Sequence, residues 1–324
     1  KKYSEKNTFF FKRNFHLIII IFLILLSYLF GVFFEFLKSY PEHFTLSTSA
    51  FWEKSIKFIN VNYYDQLELF KFYLLKYFML PIKGFFISIP WPWFIFILVL
   101  LGWYYGRAKL AILNLILLAF IVINGLWLKA MVTIYLCGAS VILACLIGIP
   151  LGIWGGLNDR ANKILSSITD TLQTLPSFVY LIPVVMLFRV GDFTAMLAVI
   201  LYSLAPAVKY TIHGIRSINS EIIDAGKANG CNNRQLLFNI RLPLALPEIL
   251  LGINQTIMLA LSMLVITALV GTRELGQEVY IALTKADIGR GLVAGLCVAF
   301  IAIISDNLIK SASKKMKLKY GFSL

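Results

Sequence analysis

The chain carries few side chains that could perform catalysis. Its three histidines and four cysteines are scattered over 324 residues, and no two cysteines have the spacing of a metal site or of a disulfide framework. The sequence contains no GxxxxGK[ST] phosphate loop, no HExxH helix and no GxSxG turn. We therefore expect no ATP site, no metal and no cofactor, and we predict a protein that is not itself an enzyme.

Polar residues inside apolar stretches could instead take part in transport. Asp306 lies four residues before Lys310, a spacing that favours a helical ion pair over a proton relay. Asn254 and Gln255 lie in another apolar stretch. Such side chains either line a path for a solute or hydrogen-bond to a neighbouring helix, and packing is the favoured interpretation.

The most strongly patterned polar stretch is 224–243, DAGKANGCNNRQLLFNIRLP. It separates the apolar stretches 194–212 and 244–270, and each of these is long enough to cross a bilayer. Two membrane helices need only a few connecting residues, so a connection of this length indicates a function of its own.

Local signals around this stretch predict a helix, a turn and a second helix. Ser220 is the predicted N-cap of the first helix, and Gly230 is expected to adopt positive φ just after its end. Asn232 and Gln235 have the spacing of a capping box. The second helix is predicted to end before Pro243, because the residue before a proline avoids the α-helical region. The result is a helical hairpin that could fit a groove in a partner.

The composition indicates a membrane protein. Hydrophobic residues make up 59% of the chain and charged residues 14%, with a mean hydropathy of +0.81; soluble domains carry about 25% charged residues. The formal net charge is +14, but Lys and Arg gather at the ends of apolar stretches. Membrane orientation and anionic lipid explain this pattern better than nucleic acid.

Eight apolar stretches predict an all-α polytopic membrane protein with about eight transmembrane helices. If the basic N-terminus lies inside, the basic loops and the C-terminus lie inside as well. The predicted spans are 17–34, 94–105, 110–128, 130–154, 170–188, 194–212, 244–270 and 292–309.

Two details of this pattern concern helix shape. Pro176 and Pro183 fall in one span and predict a bent or broken helix. The segment 67–80 predicts an external amphipathic helix, with an ordinary packed helix as the alternative. Its predicted apolar face comprises Leu67, Phe70, Leu74, Tyr77 and Phe78.

Residues of the hairpin carry a resemblance. Permeases of ABC-type importers have a cytoplasmic motif, E-A-A, then Gly six residues after the Glu, then I-x-L-P. The positions in register here are Asp224, Ala225, Gly226, Gly230, Ile240, Leu242 and Pro243. Asp replaces the Glu and Gly replaces the second Ala. The resemblance implies that these residues couple the chain to an ATPase.

Four further segments narrow the resemblance: 170–188, NQT at 254–256, LALSM at 259–263 and LGQ at 275–277. Over 130–310 the chain is similar to the permease of glycine betaine/proline betaine importers. This implies a type I-like permease core in a bacterial plasma (inner) membrane. The implied partners are cytoplasmic ABC ATPase subunits, an external substrate-binding protein, a second copy of the permease and membrane lipid, without nucleic acid.

The resemblance also suggests site residues. Phe178 and Tyr180 could offer a π-face to a passing ammonium, and with Asn254 and Gln255 they are the candidates for the translocation path. Leu275, Gly276 and Gln277 are the candidates for an outer gate or a binding-protein contact. Arg273 and Glu274 occupy positions that are commonly glycine in that family's G-G-L-G-Q sequence.

We predict three regions. Residues 1–129 form an N-terminal membrane region with three spans, 130–310 form the permease core, and 311–324 form a basic cytoplasmic tail.

The predicted function is ATP-driven import of a compatible solute of the betaine type. A permease for another small zwitterion or an amino-acid-like solute remains an alternative. A secondary transporter would need a deep acidic or histidine relay or a sodium site, and a membrane enzyme would need a catalytic cluster.

Overall fold

The computed structural model describes residues 2–33 and 44–319. Contacts divide the chain into two units, Lys1–Phe58 and Ile59–Leu324. In the first unit, helix α1 spans Lys2–Phe33, and its apolar part, Leu17–Val32, exposes nearly all of its side chains. Helix α2, Ser49–Asn62, crosses the boundary between the units. The predicted region boundaries at 129/130 and 310/311 stay predictions.

The second unit is helical between short turns. Its α-helices are α3 (Tyr64–Leu74), α4 (Leu80–Ser88), α5 (Trp91–Ile123), α6 (Trp127–Leu157), α7 (Asp159–Thr174), α8 (Ser177–Phe188), α9 (Asp192–Arg216), α10 (Ser220–Ala228), α11 (Asn233–Gln235), α12 (Leu242–Thr267), α13 (Leu275–Lys285) and α14 (Ile288–Lys319). Two π-helical segments, Leu75–Met79 and Leu236–Arg241, and one 3₁₀ turn, Ala268–Val270, join some of them without a break.

Helix α9 is the centre of this unit. Its residues Ala195, Met196, Ala198 and Val199 have no exposed surface. Glycines on both neighbours let the backbones come close: a β-carbon added to Gly152 of α6 would lie 2.5 Å from Thr211, and one added to Gly252 of α12 would lie 2.7 Å from Tyr210. Helices α6, α9 and α12 therefore pack as a tight layer.

Helix α5 reverses direction at Arg107, where φ is 58° and ψ is −159°. The amide nitrogen of Asn114 donates to the Leu98 carbonyl at 3.0 Å. In a straight helix those residues would be about 24 Å apart, so α5 consists of two antiparallel segments. The turn lies at the basic sequence Gly106–Lys109, in agreement with the predicted turn between the second and third spans.

The predicted bend in span 170–188 is confirmed. Helices α7 and α8 meet at an angle of 95°, with Pro176 as the N-cap of α8. Helix α7 begins earlier than expected, because Asn158 caps it by accepting from the backbone N–H groups of Arg160 and Ala161. The connection between the predicted spans 130–154 and 170–188 is therefore mostly helix.

By length and composition, five helical stretches of the described residues could cross a membrane, or six if the bent α7–α8 pair forms one span. They are 91–123, 127–157, 192–216, 233–270 and 288–316, and the first of them counts the folded helix α5 as one stretch. The nearly all-helical architecture confirms the predicted fold class. The number of eight spans is not confirmed, because the apolar part of α1 and each half of α5 are shorter than a standard span.

The predicted end of the second hairpin helix was wrong. The second helix of the hairpin does not end before Pro243; it continues through the π-helical segment Leu236–Arg241 into α12. The wider π turn ends two residues before the proline, and the same arrangement occurs at Leu75–Met79 before Pro81. In the predicted amphipathic segment, Phe70 and Tyr77 are exposed. The residues of its predicted face that pack against the core are Leu67, Leu74 and Phe78.

Candidate functional site

The residues 220–241, hereafter the 220–241 hairpin, contain most of the predicted coupling motif. The N-cap of α10 is Asn219 and not Ser220, since its side-chain oxygen accepts from the N–H of Glu221 at 3.0 Å. Asn and Ser are comparable caps, so the sequence did not decide between them. Asp224 forms an exposed ion pair of 3.0 Å with Lys227, and Ala225 is exposed beside it.

The turn of the hairpin is a Schellman motif. Gly230 has φ +80°, as the sequence predicts. Its N–H donates to the Lys227 carbonyl at 2.9 Å, and the N–H of Cys231 donates to the Gly226 carbonyl at 3.1 Å. These bonds satisfy the terminal carbonyls of α10 and fix the direction in which the chain leaves it.

The two helices of the hairpin close on each other at Gly226. A β-carbon there would lie 2.7 Å from Cδ1 of Ile240 and 2.8 Å from Cδ2 of Leu236. The expected capping box is present, because the side chains of Asn232 and Gln235 each accept from the other residue's backbone N–H at 2.9 Å. The hairpin is therefore held at both ends and in its middle.

The hairpin also exposes apolar side chains. Phe238, the only aromatic residue from 220 to 243, is 64% exposed, and Ile222 is exposed as well. The sequence analysis did not predict a role for Phe238. Its being the only aromatic residue of the connection was the signal that could have identified it. The buried Nε of Arg241 has no hydrogen-bond partner among the described residues.

The path candidates occupy different environments. Phe178 is 53% exposed, whereas Tyr180 is buried, donates its hydroxyl to the Leu172 carbonyl and makes an edge-to-face contact with Tyr202. This hydrogen bond joins Tyr180 of α8 to Leu172 of α7, across the bend between the two helices. Tyr180 therefore supports the bend, and Phe178 is the ring that remains accessible.

A polar cluster near the same bend was not anticipated. The ammonium of Lys209, on α9, donates to Asp170 and to Gln173, both on α7, at 2.5 Å each. These residues are 36 to 39 positions apart in the sequence, so no local spacing reveals the pairing. The cluster ties the end of α7, beside the bend, to the central helix α9.

Asn254 lies within α12 and is almost fully buried. Its amide nitrogen donates to Asp306 of α14 at 2.6 Å, and Lys310 donates to the other carboxylate oxygen at 2.8 Å. The predicted Asp306–Lys310 ion pair is thus confirmed. The Oδ1 atom of Asn254 is buried and has no hydrogen-bond partner within the described part of the chain, whereas the neighbouring Gln255 is exposed.

At the other end of α12, residues 271–285 form a turn and the helix α13, hereafter the 271–285 cap. Leu275 and Gly276 are buried, Gln277 is partly exposed and Arg273 is exposed. A β-carbon on Gly276 would lie 2.7 Å from the Val265 Cα, so this glycine lets α13 press against α12. Of the three gate candidates, only Gln277 reaches the surface.

Ion pairs hold the 271–285 cap to its neighbours. Glu278 is buried between Lys129 of α6 and Arg290 of α14, and it pairs with both. The backbone N–H of Leu275 donates to the hydroxyl of Thr133 on α6 at 3.0 Å. The cap is therefore fastened to both helices that flank it.

Glu274 has no exposed surface and is the N-cap of α13. It accepts from the N–H of Gly276 at 2.5 Å and lies 3.3 Å from the hydroxyl of Thr272. Burial raises the pKa of this carboxyl from 4.5 to about 7, although the hydrogen bond from the N–H of Gly276 opposes the rise. The position that is commonly glycine in the similar family thus holds a buried acid.

Spanning helices joined by a compact helical hairpin define the chain as an integral membrane protein with a polar element at one end of its bundle. Residues 148–318, more than half of the chain, match the family described as binding-protein-dependent transport system inner membrane component. The chain belongs to this family.

Individual relatives agree with this assignment. The chain is 36% identical, over 97% of its length, to the trimethylamine N-oxide transport system permease protein TmoV of Pelagibacter ubique. It is 37% identical, over 70% of its length, to the glycine betaine/proline betaine transport system permease protein ProW of Escherichia coli. It is 37% identical, over 67% of its length, to the glycine betaine transport system permease protein OpuAB of Bacillus subtilis.

The matches cover different shares of the relatives. The chain spans 45% of the Pelagibacter protein and 64% of the Escherichia protein, but 77% of the Bacillus protein. Among solved structures, a chain of the inward-facing MetNI methionine ABC transporter is similar, with a TM-score of 0.50 and 19% identity. The match covers 63% of this chain and 97% of that one, and it supports the fold alone.

Proposed function

We propose that the chain is the transmembrane permease subunit of an ATP-driven, binding-protein-dependent importer of betaine-type solutes. The observation that carries the proposal is the 220–241 hairpin. It is a rigid element with an exposed aromatic residue, Phe238, and such residues are typical anchors of protein interfaces. ATP would be hydrolysed by separate cytoplasmic subunits, and the hairpin would transmit their movement to α12, with which it is continuous.

The proposed sidedness follows the distribution of basic residues. The 220–241 hairpin and both termini lie in the cytoplasm, and the 271–285 cap lies on the external side. The basic turn Gly106–Lys109 is then cytoplasmic. A substrate-binding protein delivers solute at the external side, where Gln277 is the accessible residue of the cap, and anionic lipid surrounds the basic cytoplasmic edge.

A second copy of the chain completes the path in this proposal. Gln255 and Ser262 are both exposed on α12, and their separation of seven residues places them on one helix face. Polar side chains within a spanning helix are better matched to another helix or to a solute path than to lipid. Two copies facing each other across this side would enclose the path.

The substrate class rests on the relatives' names, which include glycine betaine, proline betaine and trimethylamine N-oxide. These solutes share a methylated, weakly hydrated nitrogen. Glycine betaine is the first candidate. Trimethylamine N-oxide is the second, because the relative matched over 97% of this chain carries that name.

The test is reconstitution of the complete complex, with its ATPase and binding protein, in lipid vesicles. We expect ATP-dependent uptake of radiolabelled glycine betaine or trimethylamine N-oxide, and competition between the two. If millimolar glycine betaine, proline betaine and trimethylamine N-oxide all fail to compete with the true solute, the substrate class is wrong. Uptake without ATP would contradict the proposal that the chain is part of an ATP-driven importer.

A further inference from the structure

The 271–285 cap contains a buried acid for which the proposed transport cycle has no role. Glu274 has no exposed surface. Among the described residues, the ion pairs at this end join Lys129 and Arg290 to Glu278 and Lys83 to Asp192, and none reaches Glu274. A buried carboxylate without a cation in contact is costly, and the usual outcome is that the group becomes neutral.

The hydroxyl of Thr272 can provide an acceptor for a protonated Glu274, although the N–H of Gly276 favours the ionised form. The hydroxyl of Thr272 lies 3.1 Å from the Thr267 carbonyl oxygen and 3.3 Å from Oε1 of Glu274. A carbonyl only accepts, and a hydroxyl has one proton to give. If Thr272 donates to Thr267, its oxygen is free to accept a proton from Oε1, while Oε2 accepts from the N–H of Gly276.

Charged side chains of neighbouring helices lie near Glu274. Helix α6 contributes Lys129, whose positive charge favours ionisation of Glu274, and helix α9 contributes Asp192, whose negative charge opposes it. The nearby cations are otherwise engaged: Lys83 of α4 bonds to Asp192 at 2.7 Å, and Arg290 of α14 pairs with Glu278. The surroundings therefore offer Glu274 no dedicated counter-charge.

We propose that Glu274 is a proton-sensitive positioning residue: it is neutral while the 271–285 cap is closed, and its ionisation releases the cap. The proposal rests on the proposed function for the side that the cap faces and for the effect on transport. In the closed state α13 is fastened by Thr133, Lys129 and Arg290. In the open state the carboxylate of Glu274 meets water.

The direction of the pH effect follows from linkage. The closed cap holds the proton up to a pKa of about 7, whereas the open cap is expected to have the ordinary carboxyl value near 4.5. Protonation therefore stabilises the closed cap most at a pH below the ordinary pKa. Between the two pKa values, the equilibrium constant for opening rises about tenfold per pH unit, and above the higher pKa it stays constant.

The first experiment does not depend on transport. Purified full-length chain in lipid nanodiscs is titrated by infrared spectroscopy, which detects the carbonyl band of a protonated carboxyl group. We expect a band that disappears near neutral pH in the parent chain and in Glu278→Gln, and that is absent from Glu274→Gln. A band that titrates only in the ordinary carboxyl range, or one that Glu274→Gln retains, would overturn the proposal.

The second experiment measures opening. A cysteine replaces the buried Leu275 in a cysteine-free background, and its reaction with a polar thiol reagent is followed from pH 5 to 8. Each rate is divided by the rate in the Glu274→Gln background at the same pH, which removes the pH dependence of the thiol itself. We expect this ratio to rise about tenfold per pH unit and to level off near pH 7. A constant ratio contradicts the proposal.

Two variants separate proton sensing from mere loosening of the cap. Thr272→Val removes the hydroxyl that faces the carboxyl and is expected to change the pH at which the ratio of reaction rates levels off. Glu278→Gln removes the ion pairs to Lys129 and Arg290, so the cap should open more at every pH while the rise of the ratio with pH persists. Loss of this rise in Glu278→Gln would assign the pH effect to the ion pairs. In the complete complex, failure of betaine uptake would contradict the proposed function and leave the titration result standing.

Discussion

Gly230 connects one sequence position to the geometry of the whole hairpin. Its φ of +80° lies in the left-handed region, where a residue with a β-carbon is strained. Apart from the glycine and its two chain neighbours, no atom of the described residues stands within 4 Å of the place where that β-carbon would lie. A substitution there therefore tests backbone conformation and does not test packing.

We expect Gly230→Val to weaken the association of the chain with its ATPase partner. The backbone strain is about 1–2 kcal/mol, which corresponds to roughly 5- to 30-fold in the equilibrium between the intact and distorted turn. Binding of the purified variant to the ATPase subunits, measured by light scattering or interferometry, provides the test.

Gly125→Val is the matched control. Gly125 has φ +70°, also has open space around it, and lies between α5 and α6. It should carry the same strain without loss of ATPase binding. Equal losses in both variants would indicate general destabilisation, and unchanged binding in Gly230→Val would refute the docking role of the turn.

Phe238→Ala tests the exposed apolar side of the hairpin. The ring is 64% exposed, so its removal should leave the unfolding midpoint nearly unchanged. We expect ATPase affinity to fall about tenfold or more, as for an aromatic anchor that a partner buries. Leu283→Ala, at a residue 78% exposed on α13, is the control and should bind normally. Comparable affinity of the two variants for the ATPase would contradict the role of Phe238 as an anchor of that interface.

At the scale of elements, the sequence predicted what short spacings encode. The positive φ at Gly230, the capping box at Asn232 and the bend at Pro176 depend on neighbours within one or two turns. The pairings of Lys209 with Asp170 and of Lys83 with Asp192 join residues 39 and 109 positions apart. Such contacts follow from the packing of whole helices and leave no local pattern.

The wrong predictions have a related cause. The sequence rule for Pro243 considers the α-helix alone, whereas the chain adopts a π turn ahead of the proline and continues as helix. The turn between the second and third spans was predicted, but its conformation was not, because Arg107 adopts positive φ without being glycine. For the candidate site residues, the sequence did not indicate exposure: Leu275 and Gly276 are buried.

The bond between α12 and α14 gives a prediction at this scale. Asp306→Ala removes the acceptor of the Asn254 amide and leaves both polar atoms of that buried side chain unsatisfied. We expect a loss of about 1–3 kcal/mol in the free energy of unfolding, measured by denaturation in detergent. Lys310→Ala should cost less than about 1 kcal/mol, because the lysine is largely exposed. Equal costs would mean that the ion pair, not the amide, holds the helices.

At the scale of the whole molecule, the proposed orientation can be tested by labelling. Asn232→Cys and Leu283→Cys are made separately in a background without the four native cysteines, since Cys231 adjoins the first site. Membrane-impermeant maleimide should reach Asn232→Cys only from the cytoplasm and Leu283→Cys only from outside. Labelling of both sites from one side would exclude the proposed arrangement of α12 and its flanking elements.

The reversal of α5 at Arg107 has a consequence for the surrounding lipid. Each half of α5 has about 16 residues and extends about 24 Å, whereas the hydrocarbon layer is about 30 Å thick. We expect this hydrophobic mismatch to be relieved by local thinning of the bilayer, with disordered acyl chains beside the turn and the long side chains of Arg107 and Lys109 reaching the phosphate level. The protein should then be best matched to membranes of short or disordered acyl chains.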